Sequence, residues 1–487
     1  MTIDLQFRNL IGGQWRDSKR KAAVRNPADL REVLHEYPMA SDSDVVEAVA
    51  AAKRAFESWR RHSLHAKAAI FRRAAVLVRE NRQAIARTIT RENGKLIAES
   101  LAEIDSAALE IEYQTGEGER QLGSAGDCQK PGLFAFTRKE PLGVVTAIIP
   151  WNFPFNVPFR KLVPALMAGN VAILKPASQT PAVGELVVQI LLEAGLPPEV
   201  LQFITGSGRE LSESLVAQPE IRAVTFTGST AVGREIAQLA ATNFTRTQLE
   251  MGGKNPMVVL GDADLDLAVS DAVTAAFSCA GQWCTATSRL IVTEDVADTL
   301  VERIVGKVNQ IVLGRGDAEG TTMGPVCGEG QLRDVLSHVE AARDAREGVF
   351  LTGGERSALQ GLENGCFVEP TLLDEVAAET RIARTEVFGP VLAIMRVATY
   401  EAALGLANDV PYGLSSSIYT RDLDKALHFA EHSEVGLTHI NVHSAYKEPQ
   451  HCFGGVKQSG FGLPEAGTTG IQFFQDDKAV YLRKRGT

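Results

Sequence analysis

Cysteine is scarce in this chain: six residues in 487, with Cys279 and Cys284 the only close pair. That density excludes a disulfide-stapled scaffold and favours a reducing compartment. No Cys or His pair near Cys279 and Cys284 completes a tetrahedral ligand set, so no metal is expected. Positive charge is in deficit, with 50 Lys and Arg against 60 Asp and Glu and a formal charge of −10. Neither a nucleic-acid groove nor an anionic membrane surface is an expected partner, since both reward dense positive charge. Long apolar runs are missing too: nothing reaches the roughly 18 residues needed to span a bilayer. The opening MTIDLQFRNLIGGQWRDSKRK lacks the apolar core of a signal peptide, and a cytoplasmic location is expected. Internal repeats, low-complexity tracts and long linkers are absent.

What is present is an ordinary globular composition, 45% hydrophobic and 23% charged. At roughly 100 to 200 residues per domain, the length allows two to four domains. Over residues 41–122 apolar positions recur at spacings of three and four, with Ser and Asp available as N-caps, which predicts consecutive amphipathic helices. Short β-branched runs follow: GVVTAII (143–149), NVAILK (170–175), LQFIT (201–205) and AVTFTG (223–228), separated by helix-length segments. Near-continuous apolar strands alternating with helices predict a parallel sheet covered on both faces. A second such series starts near Met251, with PMVVL, SRLIV, VLAIMRV, LSSSIYT and LTHINV as its strands. LFAFTRKE (133–140) and DKAVYLRKR (477–485) fit neither series and alternate, as expected of an exposed ribbon or of strands added to a neighbouring subunit.

Several residues stand at positions suited to chemistry. Cys284 lies in CAGQWCTATSRLIV, after a helical stretch and before a strand, where backbone amides pointing at the sulfur are expected to lower the thiol pKa. Read alone, it is equally a small buried filler. Glu250 ends a strand ahead of Gly252 and Gly253, a place for a mobile general base or simply a surface carboxylate. Asn152 in IIPWNFPFN is stiffened by flanking prolines, which suits an oxyanion donor as well as plain turn chemistry. GSTAVG (228–233), between a strand and a helix, reads as an anion cradle without the usual G-x-G-x-x-G fingerprint. Lys175 ends another strand, where a ribose or phosphate could meet a cation, or where an ordinary strand-end Lys would sit.

The motifs PWNFP, LKPASQTP, FTGST, LEMGGKNP, GQWCT, EVFGP and FGGVKQSGFG occur in this order across more than 300 residues. From IGGQW to DKAVYLR the chain resembles the NAD(P)-dependent aldehyde dehydrogenase superfamily, closest to the α-ketoglutaric semialdehyde (2,5-dioxopentanoate) and succinic semialdehyde dehydrogenases. The resemblance implies an α/β fold with three parts. These are a Rossmann-like cofactor domain (1–130 and 141–250), an α/β catalytic domain (251–445), and a β oligomerisation ribbon with the C-terminal tail (131–140 and 446–487). It also implies a homodimer or homotetramer. Cys284 then matches the nucleophile, Glu250 the general base and Asn152 the side-chain oxyanion donor. Lys175 matches the cofactor lysine, Gly228 and Ser229 the pyrophosphate turn, Glu386 the residue holding the nicotinamide ribose, and Phe388 its neighbour. Trp151, Pro176, Ala177, Ser178 and Met251 complete the expected cofactor contacts.

Ser178 stands where many NAD-preferring members carry Glu, and without that carboxylate a 2′-phosphate is not repelled. NADP is therefore the expected cofactor, with NAD possible. Arg160, eight residues after Asn152, resembles the tunnel arginine of acid-semialdehyde enzymes and suits a carboxylate or sulfonate; a helix-surface ion pair is the alternative. His451 and Phe453 are expected to bind substrate, with His443 and Cys452 near the same mouth. Trp283 before the nucleophile predicts a narrow tunnel and short substrates. The expected partner is a small aldehyde bearing an acid group: α-ketoglutaric semialdehyde first, succinic semialdehyde or a sulfonated analogue second. A non-catalytic binding or structural homologue is the alternative of another class. A coenzyme A-dependent relative is a third possibility, which Glu250 argues against.

Overall fold

The structure is a computed structural model that describes residues 5–483. Four helices open the helical region: Asp42–Trp59, Leu64–Glu80, Arg82–Asn93 and Ile97–Glu119. Ser41 and Ser63 cap the first two by accepting from the backbone N–H three residues on, and Asp44 closes a capping box with Ser41. The apolar stripe of the first helix, Val45, Ala48, Val49 and Ala52, turns into the core.

The first sheet has eight strands, in the order Gln14–Arg16, Asn9–Ile11, Leu201–Phe203, Val171–Lys175, Val144–Ile148, Ile221–Thr227, Arg246–Glu250 and Gly460–Phe461. Its five central strands are parallel, and the flanking ones antiparallel. The chain enters at Val144–Ile148, winds outward to Leu201–Phe203, then returns to start the other half at Ile221–Thr227. That reversal opens a crevice beyond the carboxyl ends of the two strands, where doubly wound folds place ligands. Residues 7–38, not expected as strands, supply one edge of this sheet and a separate hairpin, Lys21–Asn26 with Asp29–Pro38.

A second sheet runs Val349–Thr352, Thr371–Asp374, Val391–Val397, Thr287–Thr293, Asn255–Val259, Ser415–Tyr419 and Leu437–Ile440. All but the first of these strands are parallel. Each sheet lies in its own apolar core. The two alternating segments pair with each other: Gln475–Arg483 runs antiparallel to Leu133–Pro141 through nine residue pairs, and Ala125–Asp127 adds a third strand. Of the expected tail strand, Lys484 and Arg485 lie outside the described residues. Residues 446–474 stand apart from the ribbon, with Gly460–Phe461 edging the first sheet and Glu465 and Phe473 buried.

Candidate active site

The motifs meet in one cleft. The carboxyl edge of the first sheet supplies Trp151 and Asn152 after Val144–Ile148, Gly228 and Ser229 after Ile221–Thr227, and Glu250 at the end of its strand. The second sheet supplies loops that precede strands: Cys284 before Thr287–Thr293, and Glu386 and Phe388 before Val391–Val397. On one side of Cys284 lies a cavity of about 470 Å³, bordered by Asn152, Arg160, Trp283, His443, Lys447 and Phe453. On the other lies a crevice of about 190 Å³, bordered by Trp151, Gly228, Ser229, Met251, Glu386 and Phe388. Asn152 and Cys284 line both.

The loop that presents Cys284 is held in an unusual backbone conformation. Cys279, Ala280 and Gly281 have φ of 50°, 54° and 68°, three successive left-handed residues, a strain that persists only where the surroundings over-determine it. Those surroundings are visible: a Cβ on Gly281 would overlap the Gly389 carbonyl, and the Cys279 N–H donates to Glu99 Oε1 at 2.6 Å. Asn255 Nδ2 donates to the carbonyls of Cys284 (2.8 Å) and Ala286 (2.9 Å). Asn152 Nδ2 donates to Gln282 O at 3.0 Å, which aims the amide at the nucleophile loop and leaves its second N–H for a ligand oxygen.

One expectation fails here. Burial pushes the Cys284 thiol up to about 12, against the pull of the Arg160 guanidinium. The preceding segment, Ser278–Gly281, is that left-handed turn and not a regular helix, and among the described residues no hydrogen bond reaches the sulfur. Desolvation therefore outweighs local dipoles. Glu250 is likewise held well above the usual carboxylate range, by burial and then by the Glu465 carboxylate, with Lys161 opposing. The Gly455 N–H donates to its Oε2 at 3.2 Å.

Of the residues expected to hold the cofactor, Trp151, Gly228, Ser229, Met251, Glu386 and Phe388 border the crevice, and Lys175 to Ser178 lie outside it. Lys175 Nζ, buried and brought down to about 8, donates to Pro176 O and retains further donors. Pro176 is buried, Ala177 half-buried and Ser178 exposed; the Ser178 hydroxyl donates to Gly206 O at 3.1 Å. In the middle, Ser229 caps the helix Thr230–Ala241, whose first-turn amides have no intrahelical acceptor and favour an anion. A Cβ on Gly233 would run into the Met251 thioether, so Met251 packs directly on that helix. At the far end the Gly253 N–H donates to Glu386 Oε1 at 3.0 Å, and burial raises this carboxyl to about 7. A Cβ on Gly252 would overlap the same carboxylate. Phe388, at a left-handed φ of 55°, meets Trp151 edge to face at 5.4 Å, while Gln331 Nε2 donates to the Phe388 carbonyl.

Arg160 and Phe453 reach the substrate-side cavity, the guanidinium 4.7 Å above the Phe453 ring. Arg160 is 5% exposed, so it is not on the helix surface, and its ion-pair contacts with Glu110 and Glu465 are buried. His451 does not reach this cavity: it is exposed and borders a neighbouring one with Cys452, because the chain turns outward before Phe453 points in. His443 does border the cavity. Among the described residues no group of three or more His, Cys, Asp or Glu is placed to hold a metal, and no helix is long and apolar enough to cross a membrane.

Sequence reasoning missed the buried charges. Glu99, Glu103 and Glu110 lie on Ile97–Glu119 at spacings of four and seven, one helical face turned toward the site. Lys95 Nζ donates to Glu103 Oε2 (2.8 Å) and to the Asn152 carbonyl (2.6 Å). Glu103 Oε1 accepts from the N–H groups of Phe155 and Asn156. Lys161 pairs with Glu465 and donates to Thr225 Oγ1 at 2.9 Å. The helical spacing of those carboxylates gave no signal, since it matches a solvated face and a buried polar one equally well.

Residues 15–480 match the aldehyde dehydrogenase family. Over 480 residues and 98% of each chain, this protein is 37% identical to the α-ketoglutaric semialdehyde dehydrogenase of Bacillus subtilis. It is 35% identical to the 3-sulfolactaldehyde dehydrogenase of Pseudomonas putida, over 98% of this chain and 97% of that one. Its structure superposes on that of Staphylococcus aureus betaine aldehyde dehydrogenase in complex with NAD+ with a TM-score of 0.96, at 33% identity, over 99% of this chain and 96% of that one. A cysteine and an amide that line both cavities agree with these likenesses, and the chain belongs to the aldehyde dehydrogenase family, oxidoreductases acting on aldehydes.

Proposed function

We propose that this protein oxidises a short acid semialdehyde to the carboxylic acid through a thioester on Cys284, with α-ketoglutaric semialdehyde giving 2-oxoglutarate as the best-supported reaction. One observation carries the substrate class. Arg160 is buried on the substrate side of the cleft and, among the described residues, donates no hydrogen bond, its nearest carboxylates being Glu110 at 3.7 Å and Glu465 at 3.8 Å. A buried guanidinium without acceptors is a receptor for an anion. A sulfonated aldehyde is the second reading, supported by the likeness to the Pseudomonas putida enzyme.

In this reading the Cys284 thiol passes its proton to water in the cleft as the sulfur attacks the aldehyde carbon, and the carbonyl π electrons move to the oxygen. The oxyanion of the resulting thiohemiacetal is held by Asn152 Nδ2 and the Cys284 N–H. Lys175, Ser229 and Glu386 would hold a nicotinamide dinucleotide, which would supply the hydride acceptor needed to turn the thiohemiacetal into a thioester on Cys284. Glu250, its proton affinity raised by burial, then takes a proton from water as that water attacks the thioester; the C–S bond breaks, releasing the carboxylic acid, and the Cys284 sulfur is reprotonated. Glu250→Gln should keep the first half and lose the second, lowering kcat by about 10²- to 10⁴-fold while a thioester accumulates. NADP is the proposed cofactor, because Ser178 places no carboxylate beside the 2′ position. The exposed edge strand Leu437–Ile440 and a ribbon carrying exposed Tyr481 and Leu482 support assembly as a dimer or tetramer.

The test is a kcat/KM matrix of α-ketoglutaric semialdehyde, succinic semialdehyde, 3-sulfolactaldehyde and butanal against NAD and NADP. Acid-bearing aldehydes should exceed butanal, and Ser178→Glu should move the preference toward NAD by about tenfold. Equal kcat/KM for butanal would refute the anion receptor.

A further inference from the structure

We infer that Lys447 is a specificity-determining residue that, together with Arg160, recognises a 2-oxocarboxylate end group on the substrate; the inference rests on the acid-semialdehyde reading above. Lys447 borders the substrate-side cavity and also the adjoining cavity of Glu110 and His451, at the junction of the two. Its ammonium approaches Glu110 Oε2 at 4.0 Å, and Arg160 Nε approaches the same oxygen at 3.7 Å. Neither contact is a hydrogen bond. Among the described residues Lys447 Nζ has no hydrogen-bond acceptor, and Glu110 Oε2, Arg160 Nε and Glu465 Oε2 are buried without partners. Two cations therefore converge on one carboxylate oxygen with their donors unused, beside an open cavity that leads to Cys284.

A simple carboxylate is fully served by the guanidinium fork. The second donor, on a separate chain segment but facing the same point, suits an acceptor next to that carboxylate, as in a 2-oxo acid. Burial supports this role: it brings the Lys447 ammonium down to about 8, so an arriving anion relieves a desolvated charge. Glu110 acts as a positioning residue, holding both cations at the junction until substrate takes its place.

Lys447→Met, Lys447→Arg and Arg160→Met, compared with the parent enzyme on α-ketoglutaric semialdehyde, succinic semialdehyde, 3-sulfolactaldehyde and butanal, test the assignment. Loss of a charged hydrogen bond predicts a rise in KM of about 10- to 100-fold for α-ketoglutaric semialdehyde in Lys447→Met, with kcat changed far less. The inhibition constant of 2-oxoglutarate should rise with it. Succinic semialdehyde, which lacks the 2-oxo group, should suffer less, and Lys447→Arg should restore most of the loss. Lys447→Gln carries the same expectation should the methionine variant not fold. An equal loss for both semialdehydes, or a greater one for 3-sulfolactaldehyde, overturns the end-group assignment. A parental preference for acids that survives Lys447→Met but not Arg160→Met overturns the role of Lys447 alone. A parent without preference over butanal overturns the proposed function itself.

Discussion

Two buried charge clusters border the same cavity, and they differ in one respect. Glu103 and Glu110 stand seven residues apart on one helix. The Glu103 cluster is complete: its carboxylate accepts from Lys95 and from two backbone N–H groups, and Lys95 also holds the Asn152 carbonyl. In the Glu110 cluster Oε1 accepts from Gln114 Nε2, but Oε2 meets Arg160 and Lys447 only at ion-pair distances, with donors and an acceptor left over. A saturated cluster has nothing to offer a ligand and serves as scaffold for the oxyanion loop. An unsaturated one, exposed to a cavity, is built to be completed by something else.

The comparison predicts unequal stabilities first. Lys95→Met strands the buried Glu103 carboxylate and should cost about 3–5 kcal/mol in chemical denaturation, whereas Arg160→Met should stay within about 1 kcal/mol of the parent. Equal losses would dissolve the distinction.

A second measurement sharpens it through Cys284, whose thiol stands at about 12 with Arg160 the main group lowering it. Iodoacetamide labelling should rise about tenfold per pH unit from neutral pH upward without levelling off, because the thiolate is the reactive form. Arg160→Met raises the thiol further, so its labelling should be slower at each pH. A plateau near pH 8 in the parent would show a far more acidic sulfur than the dry cleft implies.

The smallest effect concerns the two carboxylates themselves. Glu110→Gln removes a competitor of the substrate anion and should lower KM for acid semialdehydes by roughly threefold. Glu103→Gln should instead lower kcat for acid and uncharged aldehydes alike, since Asn152 loses its anchor. Steady-state kinetics of the pair separates a receptor from a scaffold.

The strand and helix succession was legible in the chain, because apolar periodicity alone marks a buried parallel strand or an amphipathic helix. The ordered motifs placed Cys284, Glu250 and Asn152 in one site; in the structure Asn152 and Cys284 line both cavities, while Glu250 is buried beside Gly455 and lines neither. His451 borders the adjoining cavity and not the one at Cys284, a difference the sequence does not carry because a loop's in-or-out direction has no period to read. The Cys284 pKa was misjudged because desolvation depends on every atom packed around the sulfur, not on its neighbours in the chain. Lys95, Glu103, Glu110 and Lys447 went unnoticed because a charged residue in sequence carries no mark of whether water or another charge will face it.

What the sequence determined by itself was the order of elements and the chemical identity of the reacting groups, both written in local pattern and residue type. Tertiary structure alone decided which charges were left without partners. That outcome depends on helix Ile97–Glu119, helix Asn156–Met167 and the loop around Lys447 closing on one point from residues more than 300 positions apart.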